Sequence, residues 1–264
     1  MIDDLAAYSP DDLQLALSLA DAADLISTER FRAADLKIGI KADHTHVTDA
    51  DQAVERSIRA GIAAARPGDG IYGEEYGEAG HSSRQWIIDP IDGTANYLRG
   101  VPVWGTLISL VVDRVPVLGV VSAPAMGKRW WAAAGSGAWL RETGGLPTRV
   151  HVSGVNDLAD ASISFQSIQQ WDEAGYLDRL IALTRSVWRD RAYGDMWAYM
   201  LLAEGLLDAV GEFDVKPYDL AALIPIVEEA GGRFSAVTGE PGPWHGSSLA
   251  TNGALHDTIL QALR

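Results

Sequence analysis

The run Trp86-Ile87-Ile88-Asp89-Pro90-Ile91-Asp92-Gly93-Thr94 restricts this chain more than any other stretch. Trp86 to Ile88 is short, apolar and unbroken, the pattern of a buried strand, and the chain is then expected to turn at Pro90 and Gly93 with Asp89 and Asp92 on either side. Two carboxylates at a strand end, with a rigid turn between them, suit hard divalent cations, which take oxygen ligands from side chains and backbone carbonyls alike. A second acidic pair, Glu74-Glu75, precedes this run.

The chain can bury a core large enough to support that strand. Its 264 residues are 47% hydrophobic, sufficient for one large α/β domain or two smaller ones. No internal repeat, low-complexity tract or linker interrupts it. The formal net charge of −15 opposes non-specific binding to nucleic acid or to an anionic membrane surface. With no cysteine, disulfides, thiolate metal sites and cysteine nucleophiles are excluded. No uncharged apolar run reaches the length of a membrane span, and Met1-Ile2-Asp3-Asp4 is acidic where a signal peptide would be basic. The expectation is a soluble, cytoplasmic protein.

Ser9-Pro10 predicts a capped first helix to about Arg32, with Leu15, Leu19, Ala22 and Ile26 at helical spacing. Thr48-Asp49-Ala50-Asp51 predicts the cap of a second helix carrying Val54, Ile58 and Ile62. His44 and His46 have no evident third ligand nearby and are expected to be merely exposed. Gly68, Gly70 and Gly73 match a dinucleotide fingerprint in form only, since they follow a helix and lead into two acids. Ile71 to Gly73 reads instead as a short strand, and Gly77 to Ser83 as a loop. Strands are expected at 106–112, 115–121, 126–132, 161–165, 187–191, near Ala209 and at 248–251, with a loop-rich stretch over 135–148. Helices are expected over 172–186, 196–204, from about Asp219 to Gly231-Gly232 with a kink at Pro225, and at the end to Leu263.

Glu74, Asp89, Asp92 and Asp219 thus lie at strand ends or helix starts in three separate parts of the chain. If they converge, four negative charges share one pocket, and divalent cations are the natural remedy for their repulsion. In the Asp92-Gly93-Thr94 turn, backbone N–H groups can hold phosphate oxygens beside those cations. That juxtaposition suggests hydrolysis of a small phosphate ester. The two residues between Asp89 and Asp92 do not meet the Asp-x-Asp-x-Thr signature of aspartyl-phosphate enzymes.

Gly73-Glu74-Glu75, the segment from Trp86 to Tyr97, and Tyr218-Asp219-Leu220-Ala221-Ala222 through Gly231-Gly232 resemble the inositol monophosphatase superfamily over nearly the whole chain. Arg99 to Trp104, Ser122 to Ala125, Arg129 to Ala132, Arg191 to Asp195 and Ala250 to Gly253 are most similar to its actinobacterial histidinol-phosphate phosphatases. The resemblance implies a layered αβαβα sandwich and a single domain over 1–264. Its part up to about residue 150 would hold Glu74 and the Asp89–Thr94 motif, and the part from about 151 would hold Asp219. It implies magnesium, two to three ions per site, and a homodimer. Glu74, Asp89 and the Ile91 carbonyl would hold one ion, Asp89, Asp92 and Asp219 a second, and Glu74 a weaker third. Thr94, backed by Asp51, would position the attacking water. Glu212, Asp195 and Arg191 would face the alcohol portion of the substrate, where two acids suit the ammonium and imidazole of histidinol. Trp104 is expected in the core.

This sequence has His46, Ala95 and Tyr218 where that group usually has proline, often lysine and commonly tryptophan. The same chemistry on inositol 1-phosphate or another sugar phosphate is the alternative reading. A catalytically silent scaffold with the same fold is a third.

Overall fold

The computed structural model describes residues 8–41 and 45–264. In chain order the first half contains α1 (Pro10–Arg30), β1 (Ile38–Ile40), β2 (His46–Thr48), α2 (Asp49–Ala65), β3 (Gly70–Gly73), β4 (Gly77–Ala79), β5 (Arg84–Asp92), α3 (Thr94–Leu98), β6 (Gly105–Val112), β7 (Val115–Ala123), β8 (Lys128–Ala133), β9 (Ala138–Glu142) and β10 (Thr148–Arg149). The second half contains β11 (Ser162–Phe165), α4 (Ile168–Glu173), α5 (Leu177–Thr184), β12 (Arg189–Arg191), α6 (Asp195–Ala203), β13 (Ala209–Phe213), α7 (Pro217–Leu220), α8 (Leu223–Glu229), β14 (Arg233–Ser235), β15 (Ser247–Thr251) and α9 (His256–Ala262).

Eight strands form one sheet in the order β10-β9-β8-β7-β6-β5-β3-β4, and five form another in the order β12-β11-β13-β15-β14. Strand alternation sends Trp86 and Ile88 of β5 to one face of the larger sheet, where they pack with Val54, Ile58 and Ile62 of α2 and Leu19 of α1. On the other face Leu107, Val121 and Trp130 meet Met196 and Tyr199 of α6, Leu223 and Val227 of α8, and Val210 and Phe234 of the smaller sheet. The far side of that sheet buries Ile163, Ala209 and Leu249 against Trp171, Leu180, Leu183 and Ile259 of α4, α5 and α9. The order is therefore helix, sheet, helix, sheet, helix, the αβαβα sandwich expected.

Several elements differ from the sequence reading, each for a local reason. The buried stripe of α1 is Ala16, Leu19, Ala20, Ala23 and Ser27, one position round from the expected one, because small residues let α1 lie close on its neighbours. Residues 77–79 form an edge strand on β3, and 138–142 pair with β8, so two stretches read as loops are strands. The expected 172–186 helix is two helices, broken where Gly175 turns left-handed at φ +75°. The helix around Pro225 is likewise two, α7 and α8. Proline has no N–H for the Ala221 carbonyl four residues back; the Ser109 hydroxyl lies 3.1 Å from that carbonyl and shares its one proton between it and the Leu118 carbonyl at 2.8 Å.

The departure that matters most for the site is at Pro90. The strand does not turn there but runs on to Asp92. Between the pairs Asp89–Leu107 and Asp92–Gly105, β5 takes three residue steps to two of β6. This bulge accommodates a proline that cannot join the ladder, and Thr106 Oγ1 donates to the Pro90 carbonyl at 2.8 Å. Residues three apart in a regular strand face opposite sides; the extra residue brings Asp92 round to the side of Asp89.

Candidate active site

Topology brings the acids together. Strands β3 and β5 are parallel neighbours with Gly73 beside Ile88, so Glu74 and Asp89 emerge side by side, and the Glu74 N–H donates to the Ile88 carbonyl at 3.2 Å. Ile87 packs against Ala221 on the face where α7 lies, and Asp89 follows on that same face. Asp219, in the first turn of α7, accepts from the Lys216 N–H at 2.6 Å. Asp92 accepts from the Met196 N–H at the start of α6, also at 2.6 Å. One carboxylate oxygen from each of Asp89, Asp92 and Asp219 lies within 4.8 Å of the others. Glu74 lines the same cleft, with Oε1 2.7 Å from Lys41 Nζ, which also contacts Glu75 at 2.7 Å.

Burial and mutual repulsion dominate the electrostatics. Asp89 is held well above the usual carboxylate range by burial, then by the charges of Glu74 and Asp92. Burial, then Asp195 and Asp219, does the same to Asp92. Asp219 is pushed up to about 7, by burial first and then by Glu74. Asp89 Oδ1 is buried with no hydrogen-bond partner. An all-oxygen set of acids whose charges repel, with a buried carboxylate oxygen unpaired, fits a hard divalent cation.

Beside the acids, Gly93 turns left-handed at φ +82° and starts α3. A side chain there would come within 3.0 Å of the Val103 carbonyl and 3.3 Å of Asp195. Thr94 Oγ1 lies 3.0 Å from the Ile91 carbonyl and 3.3 Å from Asp51 Oδ1. Asp51 is wholly buried at the cap of α2, accepts from the Thr48 N–H at 2.8 Å, and is pushed up to about 6 by burial. It lies behind Thr94 and does not line the cleft.

A second set of cleft acids comes from the smaller sheet and the helices beside it. Glu212, on β13, is buried, accepts from Tyr199 Oη at 2.9 Å and is pushed up to about 8, by burial and then by Asp195 and Asp219. With its amide nitrogen facing the carboxylate, Gln166 donates to both Glu212 oxygens, at 2.8 and 3.1 Å. Asp195 sits at φ +50° and accepts from Asn96 Nδ2 at 2.8 Å; burial raises it to about 6. Both acids line the cleft, as do Asp214, Gln166 and Gln170. Arg191 does not: it is exposed on the edge strand β12 and donates to the Asp190 carbonyl at 2.6 Å. The cleft encloses about 290 Å³, the size of a small phosphate ester.

His46 is exposed at the cleft mouth, and His44 lies outside the described residues. Trp104 is in the core, stacked edge-on against Tyr97 at 4.9 Å. Sequence reasoning missed Lys41, Gln166, Gln170 and Asn96, and also Glu55. Fully buried on α2, Glu55 accepts from the N–H groups of Glu75 at 2.7 Å and Tyr76 at 3.2 Å, and so braces the turn that presents Glu74. Its one sequence signal was Gly73, whose missing side chain leaves room for the Glu55 carboxylate.

A model of the inositol monophosphatase family matches residues 11–264. Among characterised relatives, the histidinol-phosphatase of Mycobacterium tuberculosis is 53% identical, covering 97% of this chain and 98% of its own. That of Streptomyces coelicolor is 51% identical, covering 95% and 96%. Among solved structures, an inositol monophosphatase from Zymomonas mobilis superposes with a TM-score of 0.85 at 34% identity, covering 97% of this chain and 99% of its own. The extragenic suppressor protein suhB from Bartonella henselae gives 0.87 at 27%, covering 96% and 98%.

Proposed function

Because the chain belongs to the inositol monophosphatase family, we propose that it is a magnesium-dependent phosphomonoesterase that hydrolyses L-histidinol phosphate to L-histidinol and phosphate. The observation that carries the reading is a cleft with two sets of acids. One is the triad Asp89, Asp92 and Asp219 with its unpaired buried oxygen. The other presents Glu212, Asp195 and Asp214 to the leaving group. Metal ions account for the first set. The second suits a cationic alcohol, and the relatives at 51–53% identity are histidinol-phosphatases.

Glu74, Asp89, Asp92, Asp219 and the Ile91 carbonyl would hold the magnesium ions, two to three in number. When bound, such ions supply Lewis acidity toward the phosphoryl group and the departing oxygen. The turn at Gly93 and Thr94 orients the phosphate through its N–H groups. Thr94 Oγ1 donates to Asp51 or to the Ile91 carbonyl, which leaves its lone pairs to accept from the attacking water. Asp51 is placed to take up a proton relayed through that hydroxyl. Asp195 and Glu212 hold the ammonium and imidazole of the alcohol, whose positive charge relieves their crowding. Arg191 would reach the substrate only by leaving its contact with Asp190. A cytoplasmic homodimer completes the proposal, and sizing by light scattering tests its stoichiometry. Among the described residues no helix is long and apolar enough to cross a membrane.

Phosphate release from L-histidinol phosphate, inositol 1-phosphate and a hexose phosphate, measured with and without Mg²⁺, tests the reading. Histidinol phosphate is expected to give the highest kcat/KM, with activity lost in chelator. A higher value for inositol 1-phosphate would reverse the substrate assignment.

A further inference from the structure

The Val103 carbonyl and the Asp195 carboxylate meet over Gly93, in the room that its missing side chain leaves. Asn96, on α3, ties the two together. Its Nδ2 carries two hydrogens and donates one to each, at 2.9 Å to the Val103 oxygen and at 2.8 Å to Asp195 Oδ2. Because a carbonyl oxygen can only accept, the Val103 contact fixes which way round the Asn96 amide lies, and its second N–H is then committed to Asp195. Asp195 opens α6 in the left-handed region at φ +50°, a conformation that a residue with a side chain keeps only where its surroundings enforce it. Asp195 is only partly buried and lines the cleft, so with Oδ2 held by Asn96 its other oxygen, Oδ1, is the one left for a ligand.

The turn at Gly93 and Thr94 is the proposed seat of the phosphate. A carboxylate fixed over Gly93 therefore attracts a cation that the ester carries close to its phosphate. The same carboxylate opposes an ester with no cation there, because its charge then faces the phosphate uncompensated. Both effects last only while the side chain is kept from rotating away, and Asn96 supplies the bond that keeps it. We infer that Asn96 is a positioning residue that acts through Asp195, fixing its carboxylate beside the phosphate turn so that esters of a cationic alcohol are favoured over neutral ones. The inference rests on the proposed function and adds to it the group that makes Asp195 selective.

Asn96→Leu keeps the size of the side chain and removes the donor. The quantity to measure, at saturating Mg²⁺, is KM for histidinol phosphate divided by KM for phenyl phosphate, whose leaving group carries no cation. A general disturbance of α3 would move both values by one factor and leave this ratio alone. The ratio is expected to rise about tenfold in Asn96→Leu, the effect of losing one hydrogen bond to a charged group. Asp195→Asn should raise it at least as much, and the double variant should lie within twofold of Asp195→Asn, since Asn96 then has no charge left to place. Thermal melts accompany each variant, and if Asn96→Leu does not fold, Asn96→Ala takes its place. An unchanged ratio in the Asn96 variant would overturn the inference, as would a rise that persists undiminished in the Asp195→Asn background. If wild type itself fails to hydrolyse histidinol phosphate, or Asp195→Asn leaves the ratio unmoved, the functional reading fails first. If Asp195→Asn raises the ratio and the Asn96 variant does not, the inference about Asn96 alone fails.

Discussion

Replacing Gly73 with alanine tests how the Glu74 turn is held. An added Cβ would overlap all three carboxylate atoms of Glu55, the farthest of them only 2.9 Å away. Glu55 cannot simply swing aside. It is fully buried, accepts from the Glu75 and Tyr76 N–H groups, and pairs with Arg59 Nε at 2.7 Å, while Arg59 in turn bonds the Gly77 carbonyl. Overpacking of a core site costs about 1–3 kcal/mol, and a lost hydrogen bond to a charged group costs about 1.5–3 kcal/mol. With one such bond sacrificed, the destabilisation is about 3–5 kcal/mol. At about 2–4 °C per kcal/mol for a chain of this size, the melting temperature should fall by about 6–20 °C. Displacing the turn also shifts Glu74, and a misplacement of about 1 Å reduces turnover by about 10²-fold. Thermal melting by circular dichroism and phosphate release measure the two effects. Gly70→Ala is the control, because in the same strand its Cβ would meet atoms no nearer than 3.6 Å. If Gly73→Ala melted and turned over like Gly70→Ala, Glu55 would not brace the site.

Saturating Mg²⁺ at about a hundredfold its Kd should stabilise the protein by about 2.7 kcal/mol, raising the melting temperature by about 5–11 °C over the chelated form. Asp89→Asn should melt above wild type in chelator, since it removes a buried charge from a repelling set, and should lose both activity and the Mg²⁺ shift; an undiminished shift would contradict the assigned ion site. His256, buried between Ser235 Oγ at Nε2 and Thr251 Oγ1 at Nδ1, each at 3.1 Å, has its pKa lowered to about 4, by burial first and then by Arg233. The folded state then binds fewer protons than the unfolded state between about pH 6.5 and 4, so this contribution is present above 6.5 and is lost as pH falls toward 4. The stability difference between wild type and His256→Gln should narrow by on the order of 3 kcal/mol across that window. Using the difference cancels the carboxyls, such as Asp51 and Asp195, that titrate there in the opposite sense. A difference independent of pH in chemical denaturation would refute the buried neutral imidazole.

Much of the architecture was legible because its signals are local. The Thr48 cap with Val54, Ile58 and Ile62 behind it became α2, and the Val/Ile runs on either side of Asp113-Arg114 became β6 and β7, joined by a turn with both residues at positive φ. What was misread depends on partners remote in sequence. Residues 77–79 and 138–142 carry little strand character of their own and are strands because an edge was open beside them. Pro90 looked like a turn, and its neighbourhood is a strand because the bulge opposite Leu107 and Gly105 absorbs the missing N–H.

The site divides along the same line, and chemistry explains why. Carboxylates at strand ends stand out in a sequence because they oppose the apolar pattern around them; Asp89, Asp92 and Asp219 could be picked out before any coordinates were known. Glutamine carries no such signal. Gln166 acquires meaning only when the smaller sheet places Glu212 against it. Glu55 is quieter still, an ordinary acid in the middle of a helix until Gly73 is seen to make room for it. The conspicuous acids thus mark the proposed ion site and the proposed contacts to the alcohol, while a supporting side chain sets how firmly Glu74 is held. Glu55→Ala should therefore weaken Mg²⁺ affinity whichever ester is hydrolysed, read as the Mg²⁺ concentration for half-maximal phosphate release, and an unchanged affinity would show that Glu55 does not hold the Glu74 turn.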